Sequence, residues 1–199
     1  MIVLVLIALA AGIAYGVSGI EISLLESLVE HKDLLVTILM FSVGISVGMH
    51  RGLFTKLREY HIKALVIPLG IVVGSILGGL ICGLFLDHSF SETTAVACGL
   101  GWYSLSGIAI ESFAGAYMGT VAFLSNLMRE IFSFLLIPLI SKVANNFSCI
   151  AIAGATSEDT TLPMMIRYTN EETVVLSVLN GMLCSAMVPI LISLCFEIF

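Results

Sequence analysis

The stretch 152-IAGATSEDTTLP-163 sets two adjacent acids, Glu158 and Asp159, between apolar flanks. Cys149 to Ala153 leads in, Met164 to Ile166 leads out, and Gly154, Ser157, Thr160, Thr161 and Pro163 interrupt any continuous helix between them. Backbone that loses its helical bonds inside lipid survives only where protein surrounds it or where it lines a wet cavity. Pro163 does little harm in the first turn of a new helix, where its missing N–H has no bond to lose. Asp159 suits the N-cap of that helix. The stretch therefore predicts an apolar half-helix, an irregular polar piece and a second half-helix. The competing reading is an exposed loop between two short spans, since only about ten apolar residues flank it on each side and a full crossing needs about 20.

The rest of the chain puts this break in a membrane protein. Only 11% of the 199 residues are charged and 59% are hydrophobic, whereas an ordinary soluble domain is about one-quarter charged. Mean hydropathy is +1.12, and so few charges cannot cover a water-exposed globule. The net charge of −6 leaves no basic footprint for nucleic acid. The five cysteines (Cys82, Cys98, Cys149, Cys184, Cys195) lie in apolar stretches and read as small buried hydrophobes. His31, His50, His61 and His88 fall in linkers without metal-ligand spacing, so no metal and no other cofactor is expected.

The predicted fold is all-α and integral to the membrane: a polytopic bundle of about five full spans plus two broken segments. The full spans are 1–17, 34–49, 63–86, 119–141 and 173–198, and the broken segments are 93–107 and 148–167. The first reads as a span rather than a signal peptide, because it lacks a basic start and further spans follow. One transporter domain covers 1–199, with N-terminal spans in 1–92 and a repeat-containing core in 93–199. The core repeat is weak: Gly101–Ser104 resembles Gly154–Ser157, and 124-LSNLMREIFSFLLIPLI-140 resembles 176-LSVLNGMLCSAMVPIL-191. Interrupted segments in matching places of two repeats point to a transporter's central site, and the repeats are expected to be inverted. Arg51, Lys56, Arg58 and Lys63 crowd the linker 50–63, which places it, and Met1 two spans earlier, in the cytoplasm.

Glu130 is the sharpest single signal, a carboxylate near the middle of the span 119–141. A central acid costs a membrane helix about 2.5–3.5 kcal/mol on insertion scales and usually faces the bundle interior in a functional role. Asn126, Glu130 and Ser133 share one helix face. Arg129 projects to the side, where Glu158 or another acid is its expected partner. Trp102 and Tyr103 read either as interfacial anchors or as site residues.

Three stretches, 99-GLGWYSLSG-107, NLMREIFSFLLIPLI at 126–140 and GATSEDTTLP at 154–163, resemble in order and spacing the LysO-type lysine exporter family of bacteria and archaea. The resemblance covers essentially the whole chain and the C-terminal two-thirds of longer members. It implies export of L-lysine and basic analogues across the cytoplasmic membrane, and it maps the family's two intramembrane acids onto Glu130 and Asp159. At Glu158 family members commonly carry Met or another uncharged residue. A homodimer, or a small membrane subunit, is the expected source of the N-terminal part of longer members.

The residues and the resemblance lead to one expected mechanism. Glu130 and Asp159, with Glu158 beside them, present negative charge to an ammonium. Half-helix N-termini near Ser104–Gly107 and near Thr160 and Thr161 receive the carboxylate through free N–H groups, and Ser106 and Ser157 are further candidate binding residues. A proton or sodium ion competing for the acids makes the protein an antiporter. A channel and an accessory membrane subunit are the alternatives. An enzyme is not expected: Asp159 has no second aspartate, and Ser104 and Ser106 have no membrane histidine to activate them.

Overall fold

Helix formation along this chain is driven by apolar runs and punctuated by glycine. The computed structural model describes residues 53–198 continuously, with side chains from Leu65 onward, and before them only scattered helical positions between Ile7 and Ile45. The expected spans 1–17 and 34–49 thus fall largely outside the described residues. The chain divides into two units, Met1–Leu35 and Val36–Phe199, and all the continuously described helices belong to the second. They are α1 (Leu53–Phe85), α2 (Phe90–Ala97), α3 (Tyr103–Val143), α4 (Asn146–Ala153), α5 (Leu162–Tyr168) and α6 (Glu171–Ile198). Among the described residues there is no strand. Leu65–Phe85 of α1, α3 and α6 are each long and apolar enough to cross a membrane.

The helix α3 is not one rod. At Gly115 the backbone takes φ 81°, ψ 172°, a conformation that glycine reaches without a Cβ penalty. There the chain doubles back. Gly107 and Gly119 would stand about 18 Å apart on a straight helix, yet a Cβ on Gly119 would lie 2.8 Å from the Gly107 carbonyl oxygen. The Tyr103 ring likewise packs edge-on against Phe123, centroids 5.4 Å apart. The arm 103–114 therefore lies antiparallel against the arm 116–143.

Helix α2 begins at the same end of the bundle. Ser89 and Glu92 close a capping box at its start, with Glu92 N–H donating to Ser89 Oγ at 3.2 Å and Ser89 N–H to Glu92 Oε2 at 3.0 Å. Beside it the His88 ring stacks on Tyr117, centroids 6.0 Å apart. Helix α2 and the arm 103–114 thus form a helical hairpin, hairpin 1, whose tip is residues 98–102. The segment expected at 93–107 is the tip region of this longer 90–114 unit, because the returning arm does not end until Gly115.

The second half repeats the plan from the other end. The arm 116–143 carries the chain across, and Asn145 caps α4, its Oδ1 accepting from Ser148 N–H at 2.8 Å. Residues 154–161 form the tip of hairpin 2, and α5 returns, burying Met165 against Ile137, Cys149 and Ala153. Helix α6 then runs back until Phe196 stacks on Phe113, centroids 4.9 Å apart. Two hairpins thus insert from opposite ends, and the long helices that follow them, the arm 116–143 and α6, run in opposite directions. Pro138 and Pro189 occupy matching late positions in these two helices.

The tips meet. Ala155 N–H donates to the Leu100 carbonyl at 2.9 Å, across backbone that turns through positive φ at Leu100 (51°), Gly101 (98°) and Gly154 (64°). No side chain fits at Gly154, where a Cβ would lie 2.4 Å from the Leu100 oxygen. Each long helix contributes one asparagine to the broken backbone. Asn126 Oδ1 accepts from Gly101 N–H at 2.8 Å, and its amide donates to the Val96 and Ala122 carbonyls at 3.0 Å each. Asn180 donates to the Gly154 carbonyl at 2.9 Å and to Ser157 Oγ at 3.0 Å. Ser157 and Ser177 exchange hydroxyl-to-carbonyl bonds at 2.8 and 2.7 Å, and Ser133 Oγ donates to Ile152 O at 3.1 Å. Side chains thus replace helical bonds that the breaks remove.

The hairpin at Gly115 can be tested by contrast. Gly119→Val puts carbon where the Gly107 oxygen and Glu111 Cβ already stand, and should lower the thermal midpoint in detergent by at least about 3 °C, the effect of roughly 1 kcal/mol or more of overpacking. Gly78→Ala, with nothing within 4 Å of its Cβ position, should leave the midpoint unchanged or raise it slightly. Equal effects of the two variants would contradict the folded-back arm.

Candidate functional site

The face of the 116–143 arm that carries Asn126, Glu130 and Ser133 is buried throughout, but its three polar groups do different work. The Asn126 amide is fully engaged on the tip of hairpin 1, and Ser133 bonds Arg129 O at 2.8 Å and Ile152 O. Glu130 alone is uncommitted. It is 0% exposed, and neither carboxylate oxygen has a hydrogen-bond partner among the described residues. Buried polar groups almost always find partners, and an orphaned carboxylate in a protein interior costs several kcal/mol. Tyr103, Asp159 and Thr160 lie within electrostatic reach of it. The Thr160 hydroxyl faces the Asp159 carboxylate at 3.3 Å.

At the tip of hairpin 2 the structure departs from expectation. Asp159 is exposed and does not cap α5. The N-cap is Thr161, whose backbone is already helical, so its hydroxyl turns back to donate to the Thr156 carbonyl at 2.9 Å. The Asp159 carboxylate instead accepts the Thr160 N–H. Thr161 N–H is also taken, by Thr156 O at 3.1 Å. The N–H groups of Thr160 and Thr161, expected to receive a carboxylate, are thus spent within the tip, because its irregular turn satisfies its own donors.

The tip of hairpin 1 brings Tyr103 toward Glu130. Tyr103 is buried, Trp102 is half-buried and Ser104 is exposed. Ser106 is buried, its hydroxyl donating to Tyr103 O at 3.4 Å and its N–H to Trp102 O at 3.0 Å. Ser157 is likewise committed, to Ser177 and Asn180.

The expected Arg129–Glu158 pair does not form. Glu158 Oε1 accepts from Ser185 Oγ at 2.9 Å, and the side chain lies on Gly181, where a Cβ would stand 2.4 Å from Glu158 Cβ. Arg129 projects to a different side and sits under the crossing of the tips. A Cβ on Gly154 would lie 2.9 Å from its Nη2, and one on Gly101 3.8 Å from its Cδ. Sequence reasoning passed over Asn180, Ser177 and Ser185 on α6. A signal for Asn180 was present: the Leu-Ser pairs at 124 and 176 are each followed within four residues by an asparagine.

With this geometry in hand, the relatives take on meaning. The family model of the lysine exporter LysO matches residues 6–196. The chain is 34% identical over 182 residues to "Lysine exporter LysO" of Escherichia coli (strain K12), covering 92% of this chain and 60% of that one. It is 32% identical over 154 residues to "Putative lysine exporter" of Haemophilus influenzae, covering 77% of this chain and 78% of that one. No solved structure matches. The chain spans less than two-thirds of the Escherichia coli relative's length, yet the match runs through both hairpins and both long helices. Its apolar helices make it a membrane protein, and by the family match over residues 6–196 the chain belongs to the lysine exporter LysO family.

Proposed function

We propose that the chain carries L-lysine and basic analogues outward across the cytoplasmic membrane as a secondary transporter, with hairpins 1 and 2 entering the bilayer from opposite faces. The observation that carries this reading is Glu130: a buried carboxylate whose two oxygens have no hydrogen-bond partner among the described residues, set where two interrupted helices cross. Intramembrane acids that face a bundle interior mark ion and substrate paths, and inverted repeats with broken helices place that path at the repeat interface. The names of the two relatives support the cargo.

In this reading an ammonium of lysine takes up Glu130, supplying the hydrogen bonds that the protein leaves unmade. Asp159, exposed at the neighbouring tip, adds a second anionic group on the cargo's route. Tyr103 orients the ammonium on the side of hairpin 1. A proton or sodium ion that competes for Glu130 and Asp159 allows only one occupant at a time, and that exclusivity couples outward lysine to inward ion flow. The tip bonds from Asn126 and Asn180 belong to different long helices, so each hairpin tip is braced by a different long helix.

Charge supports one orientation. Lys56, Arg58 and Lys63 at the start of α1 share an end of the bundle with Lys142 and Arg167, while Asp87, Glu92 and Glu197 gather at the other. By the positive-inside rule the first end is cytoplasmic. Lys142→Cys should then be labelled by an impermeant thiol reagent only from the cytoplasmic side and Asp87→Cys only from outside, read in a background lacking the native cysteines. The opposite pattern would invert the direction of transport.

The transport test uses proteoliposomes holding the full chain, loaded with labelled lysine and given an imposed proton or sodium gradient. Glu130→Gln should reduce gradient-coupled efflux at least about tenfold, and Asp159→Asn about three- to tenfold, on the scale of one lost charge-assisted contact. Unchanged coupled efflux in both variants would end the assignment. The same Glu130→Gln protein should unfold at an equal or higher temperature than the parent, since it removes an uncompensated buried charge. A fall of more than about 1 kcal/mol in stability would instead mark a structural partner for Glu130.

A further inference from the structure

Among the described residues Arg129 is the one strongly basic side chain at the tip crossing, and neither its neighbour Glu130 nor Glu158 answers it. Among the described residues its guanidinium makes no ion pair and no hydrogen bond, although an arginine carries five donors. It opens onto a cleft of 530 Å³ between α1, the 116–143 arm and α4. Among the described residues, the polar lining besides Arg129 is Ser75, Asn145 and Ser148, and no acid lines the cleft. Apolar wall comes from α1 and from Phe147, and Gly70 and Gly74 keep the α1 side open, with nothing within 4 Å of either Cβ position. Asn145 and Ser148 lie at the end of the bundle that carries Lys142, so the cleft runs from that basic end to the underside of the crossing tips.

This lining suits an oxyanion on an aliphatic stem. A guanidinium offers a planar fork of N–H donors matched to carboxylate or phosphate oxygens, and among the described residues no carboxylate stands in the cleft to hold an ammonium. The N–H groups of Thr160 and Thr161, expected to receive the carboxylate of the cargo, are consumed inside hairpin 2. We propose that the Arg129 cleft is an entry subsite that binds an oxyanion, the α-carboxylate of an amino acid arriving from the basic end, before its ammonium reaches Glu130. The assignment of an amino acid rests on the export reading above, and the oxyanion site itself does not. Phosphate shares the chemistry, either free or as a lipid headgroup.

The chain's single tryptophan, Trp102, stands next to Gly101, against which Arg129 packs, and gives a fluorescence readout. The full chain in nanodiscs of neutral lipid is titrated with L-lysine, with 1,5-diaminopentane (lysine without its carboxylate), with acetate and with inorganic phosphate. The parent should bind lysine at least about tenfold tighter than the diamine, the worth of one charge-assisted pair. Arg129→Gln should erase that preference by weakening lysine while leaving the diamine within about twofold, and Arg129→Lys should retain most of it. Equal loss of lysine and diamine, or unchanged lysine affinity in Arg129→Gln, would overturn the subsite. If acetate or phosphate binds in an Arg129-dependent way but lysine does not, the export reading fails and the oxyanion site stands. If none of the anions binds the parent, the site is refuted. A second set of nanodiscs containing anionic phospholipid separates the sources: an Arg129-dependent signal that appears only with that lipid, with lysine affinity unaffected, would assign the cleft to a headgroup phosphate and overturn the amino-acid assignment.

Discussion

A helix that stops inside an apolar bundle strands backbone donors and acceptors, and each one left unpaired there costs about 1–3 kcal/mol. This protein stops two helices inside its bundle and lets each stop supply part of the other's remedy. The bond from Ala155 N–H to Leu100 O joins the two tips, and one asparagine from each long helix serves the backbone around it. Positive φ at Gly101 and Gly154 makes the approach close enough, and the lack of side chains there leaves room for it.

That solution sets the electrostatics at the crossing. Asn126, Ser133, Ser157 and Asn180 spend their hydrogen bonds on backbone or on one another, which leaves charged side chains as the groups with capacity to spare. Glu130 and Arg129 are adjacent in sequence, so they project about a quarter-turn apart on the arm 116–143 and meet different surroundings. Glu130 faces Tyr103, Thr160 and Asp159, and Arg129 faces the cleft beside α1. A carboxylate and a guanidinium one residue apart do not neutralise each other here, because the helix turns them away from one another. Such uncompensated charges lower stability and are retained where function uses them.

The breaks could be read from local chemistry. Gly154, the paired threonines and Pro163 are poor helix company in any context, and Gly99 with Gly101 marks the first tip in the same way. The reversal at Gly115 could not, because that glycine sits in 113-FAGAYMG-119, a run with no stronger turn signal than the helical glycines at 70, 74 and 78. Only the contact of Gly107 with Gly119 distinguishes it. The role of Asn126 was hidden for a related reason. A face of Asn, Glu and Ser at helical spacing looks the same whether its groups await a ligand or hold a neighbouring backbone. Asp159 was a plausible N-cap by sequence and is not one, because Thr161 enters the helical region first.

The sequence by itself determined the membrane class, the apolar long helices, the two tips where helices fail and the family, since composition, periodicity and motif depend on residues near one another along the chain. Tertiary structure alone decided that the broken segments fold back as hairpins from opposite ends and that their tips bond to each other. It alone decided which polar side chains remain uncommitted. Those outcomes depend on which donor meets which acceptor across more than twenty residues, and hydrogen bonds form only within about 3 Å, a proximity that no local pattern encodes.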